Sequence, residues 1–212
     1  MLQQQHFPHT RPLPGARALL ATLAATPVHL ALATSSHSGN FALKTGHLGA
    51  LFAAFPPERR VLGDDPRIAP GRGKPAPDIY LLALETVNAG LRARGEADVR
   101  PDECLVFEDS VPGVEAGRRA GMQVVWVPHP ELLAEYRGRE KEVLAGLTGE
   151  HDDGAGEPVA ADAADDARGE GQRAGGRVTG QPGSVDDGWA RLLGSLEEFP
   201  YEVYGIRTPA SL

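Results

Sequence analysis

Cysteine is nearly absent from this chain of 212 residues, which contains one cysteine, two methionines and 6% aromatic residues. A single cysteine cannot form an internal disulfide, and Cys104 lies within an apolar run, so we expect a buried free thiol in a reducing compartment. No apolar stretch approaches the ~20 residues that span a bilayer. Residues 1–15 also lack the apolar segment of a secretory signal. These absences predict a soluble, cytoplasmic protein.

A basic surface is lacking too, because the formal net charge is −8, from 21 Lys and Arg against 29 Asp and Glu. Most of this charge lies in residues 149–188, which contain ten acidic residues, three arginines and ten glycines. The rest of the chain is therefore close to neutral. Nucleic acids and anionic membranes bind to surfaces rich in lysine and arginine. We expect neither of them as a partner.

Residues 149–188 contain no aromatic side chain and only three valines. Such a segment cannot bury enough apolar surface to offset the entropy lost on ordering. We predict a disordered acidic insertion there, between a core at 1–148 and a C-terminal tail at 189–212. The tail regains apolar residues and is expected to pack on the core. The charge of the insertion leaves a protein partner open as an alternative.

Segments with helical and extended patterns alternate before the insertion. The predicted helices cover residues 15–25, 39–46, 77–94 and 111–121, and the predicted strands cover 28–33, 60–62, 104–107 and 123–127. Helices are indicated by apolar residues that recur every three or four positions, and buried strands by short continuous apolar runs. This alternation predicts an α/β fold with a parallel sheet and helices on both faces.

Polar residues follow the predicted strands at the edge where parallel sheets bind their ligands. Thr34 and Ser35 follow the first strand and precede a helix whose free N–H groups could hold an anion. Lys74 stands between glycines and two prolines, which would fix its cation at the start of the next helix. Glu108 and Asp109 follow a buried strand, where paired carboxylates require donors or a cation and suit Mg²⁺.

Each of these groups also has a purely structural interpretation. Thr34 and Ser35 could cap a helix, Lys74 could be an ordinary surface lysine, and Asp109 could be an N-cap. Taken together, a hydroxyl, a lysine and two carboxylates at the ends of separate strands predict a site for phosphate and Mg²⁺.

The order of these segments resembles the haloacid dehalogenase superfamily of phosphohydrolases. LALATSS, GKPAPDIY and CLVFEDSVPGVEAGRRAGM are similar, in this order, to its second, third and fourth motifs. The similarity to the pseudouridine-5′-phosphatase group extends over about residues 7–136 and 189–207. It implies a three-layer, Rossmann-like core, Mg²⁺ as the cofactor, and a small phosphorylated metabolite as the partner.

The resemblance also implies roles for the polar residues. Thr34 and the backbone N–H of Ser35 would bind the transferring phosphoryl group. Lys74 would be the catalytic cation that neutralises the phosphate and the nucleophile. Asp109 would be the direct Mg²⁺ ligand, with Glu108 in support.

The family's first motif, DxDG[TV], is absent from the sequence. In the family, the first Asp of this motif is the nucleophile and the second is the acid and base. We therefore expect the chain as it stands to be inactive. We also expect it to lack the family's first strand and helical cap. Two explanations are open: a truncated reading of a longer phosphatase gene, or a short non-catalytic phosphate- and Mg²⁺-binding or regulatory paralogue. A β-phosphoglucomutase-like mutase shares the other three motifs and is a further alternative.

Overall fold

The computed structural model describes residues 7–149 and 180–208, in which helices and strands alternate. The α-helices are α1 (Ala16–Ala24), α2 (Ser38–Thr45), α3 (Gly49–Phe52), α4 (Asp78–Arg92), α5 (Val111–Arg119), α6 (Pro130–Glu135) and α7 (Glu140–Ala145). The strands are β1 (Leu32–Ala33), β2 (Arg60–Val61), β3 (Leu105–Glu108), β4 (Gln123–Trp126) and β5 (Ala190–Leu192). Within this described part of the chain, no helix is long and apolar enough to cross a membrane.

The strands form two parallel ladders. β1 pairs with β2, with Ala33 opposite Val61. β3, β4 and β5 form the other ladder in that order, with Leu105 opposite Gln123. The predicted parallel α/β fold is confirmed, but the expected single sheet is divided between β1 and β3. Within the described residues, no backbone pairing joins the two ladders.

The two faces of β4 show how the helices cover the three-stranded ladder. Successive side chains of a strand point to opposite faces. Val124 and Trp126 lie in one apolar cluster with α4 and α5, whereas Val125 lies in a second cluster with Leu19 and Phe199. All three strand residues are buried, as the continuous apolar run predicts for a strand covered on both sides.

Element boundaries agree with the sequence patterns at the helices and less well at the first strand. Ser110 caps α5, as predicted, because its hydroxyl accepts a hydrogen bond from the Gly113 N–H at 3.2 Å. Gly121 follows this helix with the positive φ of 75° that a C-terminal glycine permits. β1 is shorter than the predicted strand 28–33, because its partner β2 offers only two residues for pairing.

The last part of the predicted insertion contacts the core. Of residues 149–188, the structure describes 149 and 180–188, and the others lie outside the described residues. Asp187 forms an ion pair of 2.5 Å with the buried guanidinium of Arg118, and Asp186 forms one of 2.6 Å with Lys141. β5 then pairs with β4, and Phe199 of the tail is buried.

Candidate active site

Glu108, the last residue of β3, has a buried carboxylate that is bonded to two side chains from the α4 region. Lys74 forms an ion pair with its Oε1, and the exposed side-chain fractions of the two residues are 9% and 6%. The Tyr80 hydroxyl donates a hydrogen bond to the same oxygen at 2.6 Å. In such a buried pair, each charge is stabilised by the opposite charge of its partner, because water does not solvate either group.

The other carboxylate oxygen of Glu108 faces the beginning of α5. It accepts hydrogen bonds from the N–H groups of Asp109 and Ser110, both at 3.1 Å, and from the Ser110 hydroxyl at 2.9 Å. Gly113 leaves room for this arrangement, because a Cβ added there would lie 2.1 Å from the Glu108 carboxyl carbon. The carboxylate of Glu108 is therefore fixed by donors on both sides.

These donors determine the ionisation of the two adjacent carboxyl groups. Burial opposes ionisation of Glu108, but the charge and hydrogen bonds of Lys74, Tyr80 and Ser110 lower its pKa below the usual value. Desolvation and the neighbouring Glu108 charge raise the pKa of Asp109. Within residues 7–149 and 180–208, no basic side chain forms an ion pair with Asp109. The charge of Lys74 offsets this effect only in part, so a bound cation would add a counter-charge that no ion pair of Asp109 supplies.

Thr34 and Ser35 lie where the chain leaves β1. The Thr34 N–H donates to the Val61 carbonyl at 3.0 Å, and its hydroxyl oxygen accepts from the Ser36 N–H at 3.1 Å. The hydroxyl proton is left to donate to a ligand. Gly63 packs against this loop so closely that an added Cβ would lie 2.2 Å from the Ser35 carbonyl oxygen.

The N-terminus of α2, which the sequence suggested as an anion site, binds a carboxylate of the protein. Asp64 accepts hydrogen bonds from the Ser38 N–H at 2.9 Å and from the Ser38 hydroxyl at 2.7 Å. The hydroxyl is the main cause of the lowered pKa of Asp64. Sequence reasoning missed this role, although Asp64 follows β2 in the polar segment that ends that strand.

No predicted site residue lines the large groove of the structure itself, but two of the predicted segments directly follow residues that do. Ala33, which precedes Thr34, and Phe107, which precedes Glu108, both line it. Tyr80 lines it as well and connects it to Glu108. Sequence reasoning missed Tyr80, whose helical spacing beside Ile79 is equally typical of a core residue. Thr34 and Ser35 thus follow one wall, and Glu108 and Asp109 follow the other.

The donor set suits a magnesium ion better than a metal that requires many protein ligands. Among the described residues, no three His, Cys, Asp or Glu side chains are grouped together. Mg²⁺ keeps several waters and is held by one or two carboxylates together with a substrate phosphate. Asp109 fits this role because it is exposed and, within the described residues, forms no ion pair, whereas Glu108 is already bonded to Lys74.

Residues 6–121 match the sequence model of the haloacid dehalogenase-like hydrolases. A probable pseudouridine-5′-phosphatase of Saccharomyces cerevisiae is 47% identical over 134 residues, which cover 63% of this chain and 54% of the relative. A probable pseudouridine-5′-phosphatase of Drosophila melanogaster is 42% identical over 135 residues, covering 64% and 54%. The mitochondrial (DL)-glycerol-3-phosphatase 1 of Arabidopsis thaliana is 38% identical over 144 residues, covering 68% and 45%.

The chain belongs to the haloacid dehalogenase-like hydrolase family, since the family match covers more than half of its residues. The resemblance noted in the sequence is thereby confirmed, and the α/β architecture agrees with it. The chain spans about half the length of the curated relatives it matches.

Replacing Lys74 with methionine should lower the free energy of unfolding by about 3–5 kcal/mol, because Glu108 then stays buried without its counter-charge. Urea denaturation measures the change. Arg72→Met is the matched control, since it breaks the Arg72–Asp78 pair, in which the side chains are 44% and 29% exposed. Its cost should be less than about 1 kcal/mol.

The double variant Lys74→Met, Glu108→Gln removes both charges and should recover much of the stability that the single Lys74 change loses. Equal losses for Lys74→Met and Arg72→Met would contradict the importance of the buried pair.

Proposed function

We propose that this chain forms the phosphate- and Mg²⁺-binding part of a phosphatase that acts on small phosphorylated metabolites. The observation that supports this most is the buried Lys74–Glu108 pair directly beside the exposed carboxylate of Asp109. The names of the relatives support the same class of substrate. Pseudouridine 5′-phosphate is the first substrate to test, and glycerol 3-phosphate is the second.

Each residue of the proposed site has one role. The Thr34 hydroxyl and the Ser35 N–H donate hydrogen bonds to phosphate oxygens. Lys74 adds a positive charge whose position is fixed by Glu108. Asp109 holds Mg²⁺, which would neutralise charge on the phosphoryl group when bound. Because these groups are positioned before the ligand arrives, little reorganisation is needed on binding.

We distinguish phosphate binding from turnover in this proposal. Residues 1–212 contain no DxDG[TV] motif, so they do not supply the carboxylates that serve as nucleophile and as acid and base in the resembling family. General acid–base catalysis alone typically contributes about 10²–10⁴-fold to a rate. We therefore propose that these residues by themselves bind phosphate without hydrolysing its esters. The same observation favours a non-catalytic phosphate-binding or regulatory module as the second candidate function.

Inorganic phosphate should bind to the purified protein in a Mg²⁺-dependent manner, as measured by isothermal titration calorimetry. Asp109→Asn should weaken Mg²⁺ binding by about tenfold or more, because it removes the charged ligand. Asp102→Asn is the control, since Asp102 is an exposed carboxylate paired with Arg100. Equal weakening in the two variants, or Mg²⁺-independent phosphate binding, would rule out the proposed ion site.

Residues 1–212 should release no phosphate above background from pseudouridine 5′-phosphate in the presence of Mg²⁺, because both catalytic carboxylates are lacking. A colorimetric phosphate assay tests this. Clear turnover that Asp109→Ala abolishes would overturn the proposed inactivity and show that these residues are an enzyme as they stand.

A further inference from the structure

Lys44 is a half-buried lysine of α2 that forms no ion pair within the described residues. It stands next to the last residue of this helix, and its side chain runs back toward the helix start, the direction in which helical side chains tilt. Its ammonium group donates a hydrogen bond to the Ser36 hydroxyl oxygen at 3.0 Å. A positive charge without a carboxylate partner therefore lies beside the loop of Thr34 and Ser35.

An aromatic ring and a backbone contact hold Lys44 in place. Its Nζ lies 4.5 Å from the centre of the Phe7 ring, and its carbonyl oxygen accepts a hydrogen bond from the Thr10 hydroxyl at 2.8 Å. An aromatic ring attracts a cation through its quadrupole but carries no net charge. The position of the ammonium group is thereby fixed, while its charge is not neutralised.

The other charged groups discussed for this site have internal partners. The carboxylate of Asp64 accepts hydrogen bonds from the N–H and the hydroxyl of Ser38 at the start of α2. The charge of Lys74 is offset by the buried carboxylate of Glu108. Lys44 differs from both, because no carboxylate of the described residues pairs with it. Its charge is therefore available to an anion that binds at the loop after β1.

Ser36, which accepts the hydrogen bond from Lys44, has a backbone that is fixed on both sides. Its N–H donates to the Thr34 hydroxyl oxygen at 3.1 Å, and its carbonyl oxygen accepts from the Gly63 N–H at 3.0 Å. A serine hydroxyl has one proton, and the bond from Lys44 uses only the oxygen. Like Thr34, Ser36 therefore keeps a hydroxyl proton that it can donate to a ligand.

The bond from Lys44 also changes the strength of the Ser36 hydroxyl as a donor. Hydrogen bonds in a chain polarise one another, so a hydroxyl that accepts from an ammonium group donates more strongly. The bond from the Ser36 N–H to the Thr34 hydroxyl keeps the two side chains at neighbouring places of one loop. Because a phosphate has several acceptor oxygens, one phosphate can accept from both hydroxyls.

We propose that the Ser36 hydroxyl is a further phosphate donor of the candidate site, and that Lys44 is a positioning residue that acts through it. This inference rests on the proposed function, because it concerns the same phosphoryl group. Lys44 fixes the Ser36 oxygen, leaves its proton to the phosphate, and adds a positive charge. Coulomb attraction grows with the charge of the ligand, so the pair favours phosphate monoesters, which carry two charges, over diesters, which carry one.

Calorimetric titration with methyl phosphate in the presence of Mg²⁺ tests the two residues at about pH 8, where this monoester carries two charges. Lys44→Met and Ser36→Ala should each weaken binding by about fivefold to tenfold, because a charge-assisted hydrogen bond is lost. The double variant should lose little more than either single variant, since one residue acts through the other. Lys44→Arg should recover much of the affinity, because it keeps the positive charge.

Two controls separate this role from a purely structural one. Lys141→Met removes an exposed lysine that is paired with Asp186, and it should leave the binding of methyl phosphate unchanged. The affinity for Mg²⁺ in the absence of phosphate should be the same in all variants. A folding defect would lower that affinity together with the affinity for methyl phosphate.

Dimethyl phosphate, a diester with one charge, tests the preference for two charges. It should bind to the unaltered protein at least about tenfold more weakly than methyl phosphate. Lys44→Met should narrow this difference to about threefold or less, because the lost charge attracts the monoester more strongly than the diester. If Lys44→Met fails to fold, Ser36→Ala and the comparison of the two ligands continue the test on folded protein.

Unchanged binding of methyl phosphate in Lys44→Met and Ser36→Ala would overturn this inference alone, and would leave the proposed function intact. Losses that multiply in the double variant would overturn it too, because Lys44 would then act independently of Ser36. Equal binding of the two ligands to the unaltered protein would contradict the preference for monoesters. If the unaltered protein binds no methyl phosphate, the proposed function and this inference fail together.

Discussion

The ion pair between Lys74 and Glu108 is the interaction on which the rest of the site depends. Glu108 ends β3, Lys74 lies ahead of α4, and Ser110 caps α5, so one carboxylate connects three elements. Further hydrogen bonds fix the Glu108 carboxylate, from Tyr80 on one side and from the start of α5 on the other. A shift of any one of these elements would leave a buried charge without its partner, which makes the arrangement rigid.

The same pair explains why Asp109 is available to a ligand. Glu108 takes the lysine and the nearby N–H donors, and its charge raises the pKa of the next residue. Asp109 is left exposed beside a fixed positive charge. In the loops after β1 and β2, Asp64 accepts hydrogen bonds at the N-terminus of α2, and Thr34 keeps a hydroxyl proton to donate. Each of these two regions therefore contains one carboxylate held by hydrogen bonds within the protein, next to a second polar group that has fewer internal partners.

Local patterns in the sequence predicted the elements that depend on local chemistry. The apolar stripe of α4, the cap at Ser110 and the buried strands β3 and β4 all lie within two residues of their predicted places. The division of the sheet and the short β1 depend instead on which distant segment offers backbone partners. A local sequence pattern does not indicate which distant segments pair. The parallel fold was therefore predictable, but the groove between β1 and β3 was not.

The candidate site also contains some residues that the sequence predicted and others that it did not. The polar residues at strand ends were found because parallel strands direct their ligands to one edge. Tyr80 and Asp64 were missed because their roles come from contacts with Glu108 and Ser38, far away in the chain. A tyrosine on an apolar helix face and an aspartate in a turn have common structural explanations, so only the tertiary contacts distinguish them.

The most direct measurement of the central claim is amide NMR of the protein with paramagnetic Mn²⁺ in place of Mg²⁺, in the presence of inorganic phosphate. The account predicts that the signals of Ser35, Ser36, Asp109 and Ser110 broaden together at low Mn²⁺ concentration. It also predicts that the signal of Asp186, an exposed carboxylate paired with Lys141, is unaffected at that concentration. Broadening at Asp186 without broadening at Ser35 and Asp109 would contradict a shared phosphate and metal site.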